Sequence, residues 1–251
     1  MERGYQHGFS EQGTAMFDVT ERRRKARTMV AVLKEQLGTD LGSLSVLNVG
    51  GSAGIIDDYL ARHFGRVTGI DIDEHAIRHA QENYSRDNLS FEIGDAMDLQ
   101  YPDSTFDVVI CSQVYEHVPD AETMMGEIYR VLKPGGVCYF AAGNRLMLNE
   151  PHYNLPLLSV IPRPLAHLYM KLARRGSHYY EKHLSYWGLK KLVRAFETID
   201  YTRPIITTPD RFEAGYMIRP NTPKHRVAAF MARYLFWLVP GYIWILRKPA
   251  A

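Results

Sequence analysis

"VLNVGGSAGIIDDYL", residues 46–60, decides how this chain is read. An apolar run, Val46 to Val49, meets Gly50, Gly51 and Gly54, and a helix-like pattern follows at once. Glycines set so closely mean backbone conformations that a side chain disfavours, or a close approach that a side chain would block. Two things could make that approach: a ligand at the N-terminus of a helix, or a packed neighbouring strand. Packing accounts for Gly54. It does not account for three glycines followed by the acids described below.

Outward from this stretch, strand-like and helix-like segments alternate. "SVLNVG" (45–50) leads into "GIIDDYLARHF", and "RVTGIDI" (66–72) into "DEHAIRHAQENY". "LSFEIG" (89–94) and "FDVVICS" (106–112) are further strand-like runs. The amphipathic "DAETMMGEIYRVL" stops at "KPGG", a break before "VCYFAAG" (137–143). This alternation predicts an α/β fold, a Rossmann-like seven-stranded, mostly parallel sheet with helices on both faces. Residues 144–188 then break the pattern with prolines and a dense set of His and Tyr. Connections in compact domains run to about 2–6 residues, so this segment reads as a capping insertion after strand 5. "YWGLKKLVRAF" restores a helix, "YTRPIITT" (201–208) reads as the sixth strand, and "GYIWILRK" (241–248) as the seventh.

Composition narrows the class. The chain has 251 residues, 46% hydrophobic and 23% charged, enough for one large domain with additions. Thirty basic against twenty-eight acidic residues give a net charge of +2, without the basic excess of a nucleic-acid binder. "ERRRKAR" (21–27) reads as the solvated face of an N-terminal helix. Cys111 and Cys138 fall inside apolar strands, as buried reduced thiols of a cytoplasmic protein do. "MERGYQHGFS" has no apolar h-region, so no secretory signal is expected. "AAFMARYLFWLVPGYIWIL" (228–246) is nearly long enough to span a bilayer, but Arg233 and Pro240-Gly241 divide it into a helix, a turn and a buried strand.

The dinucleotide fingerprint G-x-G-x-x-G is poorly met, because Ser52 stands where its second glycine belongs. The stretch instead resembles the first motif of the class I S-adenosylmethionine (SAM) methyltransferases, "VLDxGCGxG". Asp71 ends the second strand about twenty residues on, where the resemblance implies hydrogen bonds to ribose hydroxyls, with Ile72 beside it. A helix cap is the alternative for Asp71. Asp95, in "EIGDAMDL", with the amide of Ala96, is implied to read the adenine edge. "FDVVICSQVYEHVPD" resembles the fourth-strand motif of the type 11-like subgroup that includes ubiquinone and sterol enzymes, placing Ser112 and Gln113 beside the cofactor. "YRVLKPGG" matches the family's turn into strand five. The resemblance covers residues 44–143; the flanks, "PHYNLPLLSVIPRPLA" and "PGYIWILRKP", are similar to a subset associated with polysaccharides and cell-surface glycans. Two positions depart from the pattern. Asn48 replaces the acid that helps hold the cofactor's ammonium group, and Gly51 stands where Cys is common. The organisation implied is a helical segment at 1–43, a SAM-binding core at 44–143, the cap at 144–188, and a helix with the last two strands at 189–251.

The implied cofactor is SAM, held by Asn48, Gly50, Gly51, Ser52, Gly54, Asp71, Ile72, Asp95, Ala96, Ser112 and Gln113, with S-adenosylhomocysteine as product. A hydroxyl acceptor also needs a base, and His117 in "YEHVPD" and His152 in "PHYNLP" are the candidates. A loop-orienting role for His117 and a surface role for His152 are the alternatives. His178 and His183 with Glu181 have spacing that touches on metal binding, but with no further ligand cluster in the sequence no metal site is expected. Tyr153, Tyr169, Tyr179, Tyr180, Tyr186 and Trp187 could line an acceptor pocket or simply pack. The apolar segment 155–175, with its basic end, leaves a peripheral membrane contact open. The reading is O-methylation of a saccharide, free or lipid-linked, or of a related hydroxylated metabolite. Methylation of a prenylated quinone or other lipid, a non-catalytic SAM-binding domain, and a nicotinamide-binding oxidoreductase are the alternatives.

Overall fold

The computed structural model describes residues 6–12 and 15–250 and begins with a short helix, α1 (Phe9–Gln12). Positions 1–5 and 13–14 of the expected N-terminal helical segment lie outside the described residues. Strands β1 (Ser45–Val49), β2 (Arg66–Asp71), β3 (Leu89–Ile93), β4 (Phe106–Ser112), β5 (Leu132–Gly143), β6 (Glu197–Asp200) and β7 (Gly241–Arg247) form one seven-stranded sheet. Its order is β3-β2-β1-β4-β5-β7-β6. β1 to β5 run parallel, and β7 pairs antiparallel with both β5 and β6.

Residues alternate across each strand, so the sheet has two buried faces. On one face Leu47, Val109, Cys111, Phe140 and Trp244 pack against α5 (Ala121–Val131) and α7 (Tyr186–Leu192). On the other, Val46, Val67, Ile110, Tyr139 and Ile245 meet α2 (Val19–Leu37) and α3 (Ile55–Leu60). Side-chain caps fix the helix starts. Asp18 accepts from Glu21 N–H, Asp73 from His75 and Ala76 N–H at the head of α4 (Glu74–Asn83), and Asp120 from Glu122 and Thr123 N–H.

Three boundaries differ from the sequence reading. "YTRPIITT" is not a strand: the strand lies just before it, at β6, and Thr202–Thr207 form a helix, α8. Asp200 accepts from Thr202 N–H at 2.9 Å, and Pro204 sits in the first turn, where its missing N–H costs nothing. "KPGG" does not precede β5 but lies inside it, as an irregularity in the ladder between Phe106↔Leu132 and Val108↔Val137. The 21–27 run is only partly solvated, since Arg22 and Arg23 are half-buried on α2.

The 228–246 stretch is the end of α9 (Pro223–Tyr234), a 3-10 turn at Phe236–Leu238, and β7. Among the described residues no helix is long and apolar enough to cross a membrane. Cys111 and Cys138 are buried and free.

After β5 the chain leaves the sheet to form the cap. A short hairpin pairs Asn149–Glu150 with Leu155–Pro156, α6 (Arg163–Leu172) follows, and the chain returns so that Leu184 bridges to Asn144. Leu155, Leu158, Ala166, Met170 and Tyr179 give this segment a small core of its own.

Candidate functional site

The strand order reverses between β1 and β4, and in such sheets ligands bind outside the carboxyl ends of the strands at that point. The 50–54 loop lies there. Gly50 and Gly54 hold φ of +71° and +77°, and Ser52 holds +54°. A Cβ on Gly50 would stand 2.7 Å from Val114 Cγ2, and one on Gly54 would stand 2.7 Å from Ala80 Cβ. A Cβ on Gly51 would come within 3.2 Å of Asp57 Oδ2. Each glycine therefore answers to protein atoms, Gly50 and Gly51 as well as Gly54, and not to ligand approach alone.

Asp71 both holds and shapes this loop. Its Oδ2 accepts from Ser52 N–H at 2.9 Å and its Oδ1 from Asp73 N–H at 3.0 Å. Burial pushes the Asp71 carboxyl up, against the pull of these amides. The helix-cap role goes to Asp73 instead.

Asn48 donates to Asp57 Oδ1 at 2.9 Å, and Asp57 Oδ2 is buried without a hydrogen-bond partner. An acid thus stands beside position 48 after all, supplied by α3. Burial pushes the Asp57 carboxyl up to about 7, against the hydrogen bond from Asn48. Sequence reasoning passed over Asp57. Its signal was a pair of acids, Asp57 and Asp58, straight after the apolar Ile55–Ile56 in the helix's first turn.

Asp95 follows β3 and accepts from Met97 N–H at 3.0 Å, with Ala96 half-buried beside it. Ser112 ends β4 half-buried, and Gln113 is exposed at φ +58° with its N–H on Ala141 O. Asn48, the 50–54 loop, Asp71–Ile72, Asp95–Ala96 and Ser112–Gln113 therefore mark the carboxyl ends of four neighbouring strands.

Beyond them, the turn after β4 meets the cap. His117 and His152 face each other edge-on with ring centroids 4.8 Å apart. His152 Nδ1 lies 2.5 Å from Glu150 Oε1, and His183 Nε2 lies 3.4 Å from the same oxygen. His117 Nδ1 is 3.9 Å from Glu181 Oε1. Glu116 is fully buried, and neither carboxylate oxygen has a partner. Tyr115 ties the two parts together: its hydroxyl donates to Gly143 O at 2.6 Å and accepts from Leu184 N–H at 3.1 Å. From the N-terminal side Phe9 packs on the His117 ring, and Gln6 donates to His117 O.

The electrostatics separate these groups. Burial raises Glu116 to about 7. For Glu150 burial pulls upward too, but hydrogen bonds from His152 and His183 outweigh it and bring the carboxyl to about 2. Burial alone would depress His152, yet its hydrogen bond to Glu150 and that carboxylate's charge lift it above the usual imidazole range. His117 drops to about 3 through burial and the neighbouring His152 and His183.

Both sequence-named imidazoles are thus brought together. Glu116 and Glu150 were missed, and Glu181 and His183 were considered only alongside His178. That residue lies elsewhere, against Tyr180 and His167. Of the aromatic residues, Tyr179 and Tyr186 pack in cores while Tyr180 and Trp187 are exposed. A pocket of about 190 Å³ opens beside His117, with Arg163, His178, Tyr180 and Lys182 on its walls.

Residues 47–140 match the family model described as a methyltransferase domain. Over 195 residues the chain is 32% identical to the ubiquinone biosynthesis O-methyltransferase of Pseudomonas fluorescens (strain Pf0-1), covering 76% of this chain and 75% of that protein. The chain belongs to the class I SAM-dependent methyltransferases. A Pseudomonas entomophila (strain L48) protein of the same name is 32% identical over 57% of this chain and 59% of its own length. Among solved structures, a SAM-dependent methyltransferase from Mesorhizobium loti aligns with a TM-score of 0.55 at 17% identity, covering 86% of this chain and 96% of its own. A chain from the complex of the Haloferax volcanii Trm112 methyltransferase activator aligns with a TM-score of 0.62 at 18% identity, covering 99% of both. At such identities these two likenesses are of fold.

The methyltransferase family implies SAM, and the residues present fit it. Four strand ends converge on the switch point, and Ser52 Oγ is buried there without a partner. The family assignment removes the nicotinamide and non-catalytic readings.

Proposed function

We propose that this methyltransferase methylates a hydroxyl oxygen of a prenylated or lipid-linked small-molecule acceptor, received between the turn after β4 and the cap. The observation that carries the reading is the His117–His152 contact, one imidazole from the core and one from the cap, on the carboxyl side of β4. The residues proposed to hold SAM are those at the four strand ends, Asn48 through Gln113, with Asp71 toward the ribose and Asp95 toward the adenine. SAM supplies a methyl group on a sulfonium that is already a good leaving group. The chain must then align the acceptor, which alone can lower a barrier by about 7–11 kcal/mol, and take up a proton. The imidazole pair receives that proton: Glu150 fixes the His152 ring and raises its basicity, and burial keeps His117 neutral.

The class of acceptor moves away from the free saccharide suggested by the flanking motifs. The relatives' names supply O-methylation and a quinone pathway, and α6 leaves Leu165, Leu168 and Leu172 exposed along the cap, where an apolar chain or a membrane surface can lie. Methyl-labelled SAM, incubated with the protein and an extract of its source cells and then partitioned, tests this. Label should enter the organic phase and be lost with His152→Ala. Aqueous label on saccharide-like species would contradict the acceptor class. No label in either phase, from protein that binds S-adenosylhomocysteine, would contradict the assigned chemistry.

A further inference from the structure

We propose that Glu150, His152 and His183 form a binding site for one divalent first-row transition-metal ion, with the Glu116 carboxylate behind it. Their donor atoms all lie within 4.8 Å of one another, although they come from separate segments of the cap. Glu150 Oε1 is 3.4 Å from His183 Nε2 and 2.5 Å from His152 Nδ1. Ligands held about 2.0–2.2 Å from a tetrahedral Zn(II) stand roughly 3–3.5 Å apart. Of the three pairs, Glu150–His183 already has that spacing, Glu150–His152 reaches it by opening less than about 1 Å, and His152–His183, within 4.8 Å, must close if it exceeds it. Two imidazoles and a carboxylate suit Zn(II), Co(II), Fe(II) or Mn(II); Mg(II) and Ca(II) take oxygen ligands.

Glu116 points independently to a cation. Its side chain is fully buried, and both oxygens lack a partner. Glu116, Glu150 and Glu181 are all at most 3% exposed, and among the described residues Glu150 and Glu181 pair with imidazoles while none of the three pairs with Lys or Arg. A divalent cation there would offset the acidic side chains that this dry layer buries. Glu116, His117 and His152 form a second triad within the same span, so His152 belongs to both. The His152 side chain is 21% exposed, which gives an ion a way in and leaves a coordination position toward the pocket at His117. The placement of the acceptor rests on the proposed function; the metal site does not.

The test is a Co(II) titration of the chelator-treated full-length chain, followed by visible d–d absorption, with Zn(II) as competitor. One equivalent of Co(II) should bind, Zn(II) should displace it, and Glu150→Gln and His183→Ala should each weaken binding by more than the roughly 10–100-fold typical of losing an outer-shell partner. Each variant should keep its melting shift with S-adenosylhomocysteine, which shows the fold intact whatever the fate of the acceptor reading. Should a buried substitution abolish that shift, His152→Ala, on the solvent side, carries the same expectation for Co(II). No stoichiometric absorption in the wild-type chain, or unchanged affinity in variants that retain the shift, would overturn the site.

Discussion

Asn48 and Asp57 show how one residue changes the character of a motif. The acid that the motif places on β1 stands 2.9 Å away on α3, fully buried. Because burial holds the Asp57 carboxyl at about 7, well above its ordinary value, the folded chain keeps a proton there that the unfolded chain releases from about pH 4 upward. Stability from this group therefore falls as pH rises from about 4 to 7, by an amount on the order of a few kcal/mol. Asp57→Asn removes that loss, so its melting temperature should gain on the wild type between pH 5 and pH 8; a constant difference would refute the buried carboxyl. The glycines give a second contrast. Gly54→Ala puts a Cβ 2.7 Å from Ala80 and 2.8 Å from Phe91 at φ +77°, and should cost about 2–4 kcal/mol in urea unfolding. Gly51→Ala meets only the Asp57 carboxylate at 3.2 Å and Gly69 Cα at 3.4 Å, and should unfold within about 1–2 kcal/mol of the wild type. His152→Ala should lower turnover by about 10²–10⁴-fold without changing S-adenosylhomocysteine affinity, measured by steady-state rates and calorimetry.

At the scale of elements, Tyr115 is the rivet between core and cap. Tyr115→Phe leaves Gly143 O and Leu184 N–H without their side-chain partner, at a cost of about 1–3 kcal/mol, and faster amide exchange should appear first around residues 181–185. The parallel core was legible because most of its strands are apolar runs closed by Gly or Asp, and because β1 to β5 follow one another with helices between most of them. α8 was not legible. Thr202, Ile205, Ile206 and Thr207 are β-branched and read as a strand, but the Asp200 cap and the burial of Thr202 and Ile205 favour a helix there. The proposed cofactor residues could be named in advance because each stands at a strand end, at a fixed interval from the glycines. The cap cluster could not. Glu116, Glu150 and the Glu181–His183 pair are far apart in sequence, and only the fold of the 144–185 segment over β4 makes them neighbours.

Over the whole molecule, the proposed cofactor residues stand along the carboxyl ends of the parallel strands, and the cap closes over the part of that edge beside β4. The cap's own small core and its exposed leucines on α6 let it do this while turning an apolar face outward. At the switch point between β1 and β4 a sulfur nucleoside is expected to bind, and no dinucleotide. Thermal unfolding with S-adenosylhomocysteine, and separately with NADH, tests it most directly. At a hundredfold excess over the dissociation constant, binding adds roughly 2.7 kcal/mol, which for a chain of this size raises the melting temperature by roughly 5–11 °C. S-adenosylhomocysteine should give that shift and NADH none; a shift with NADH alone would contradict a sulfur-nucleoside site.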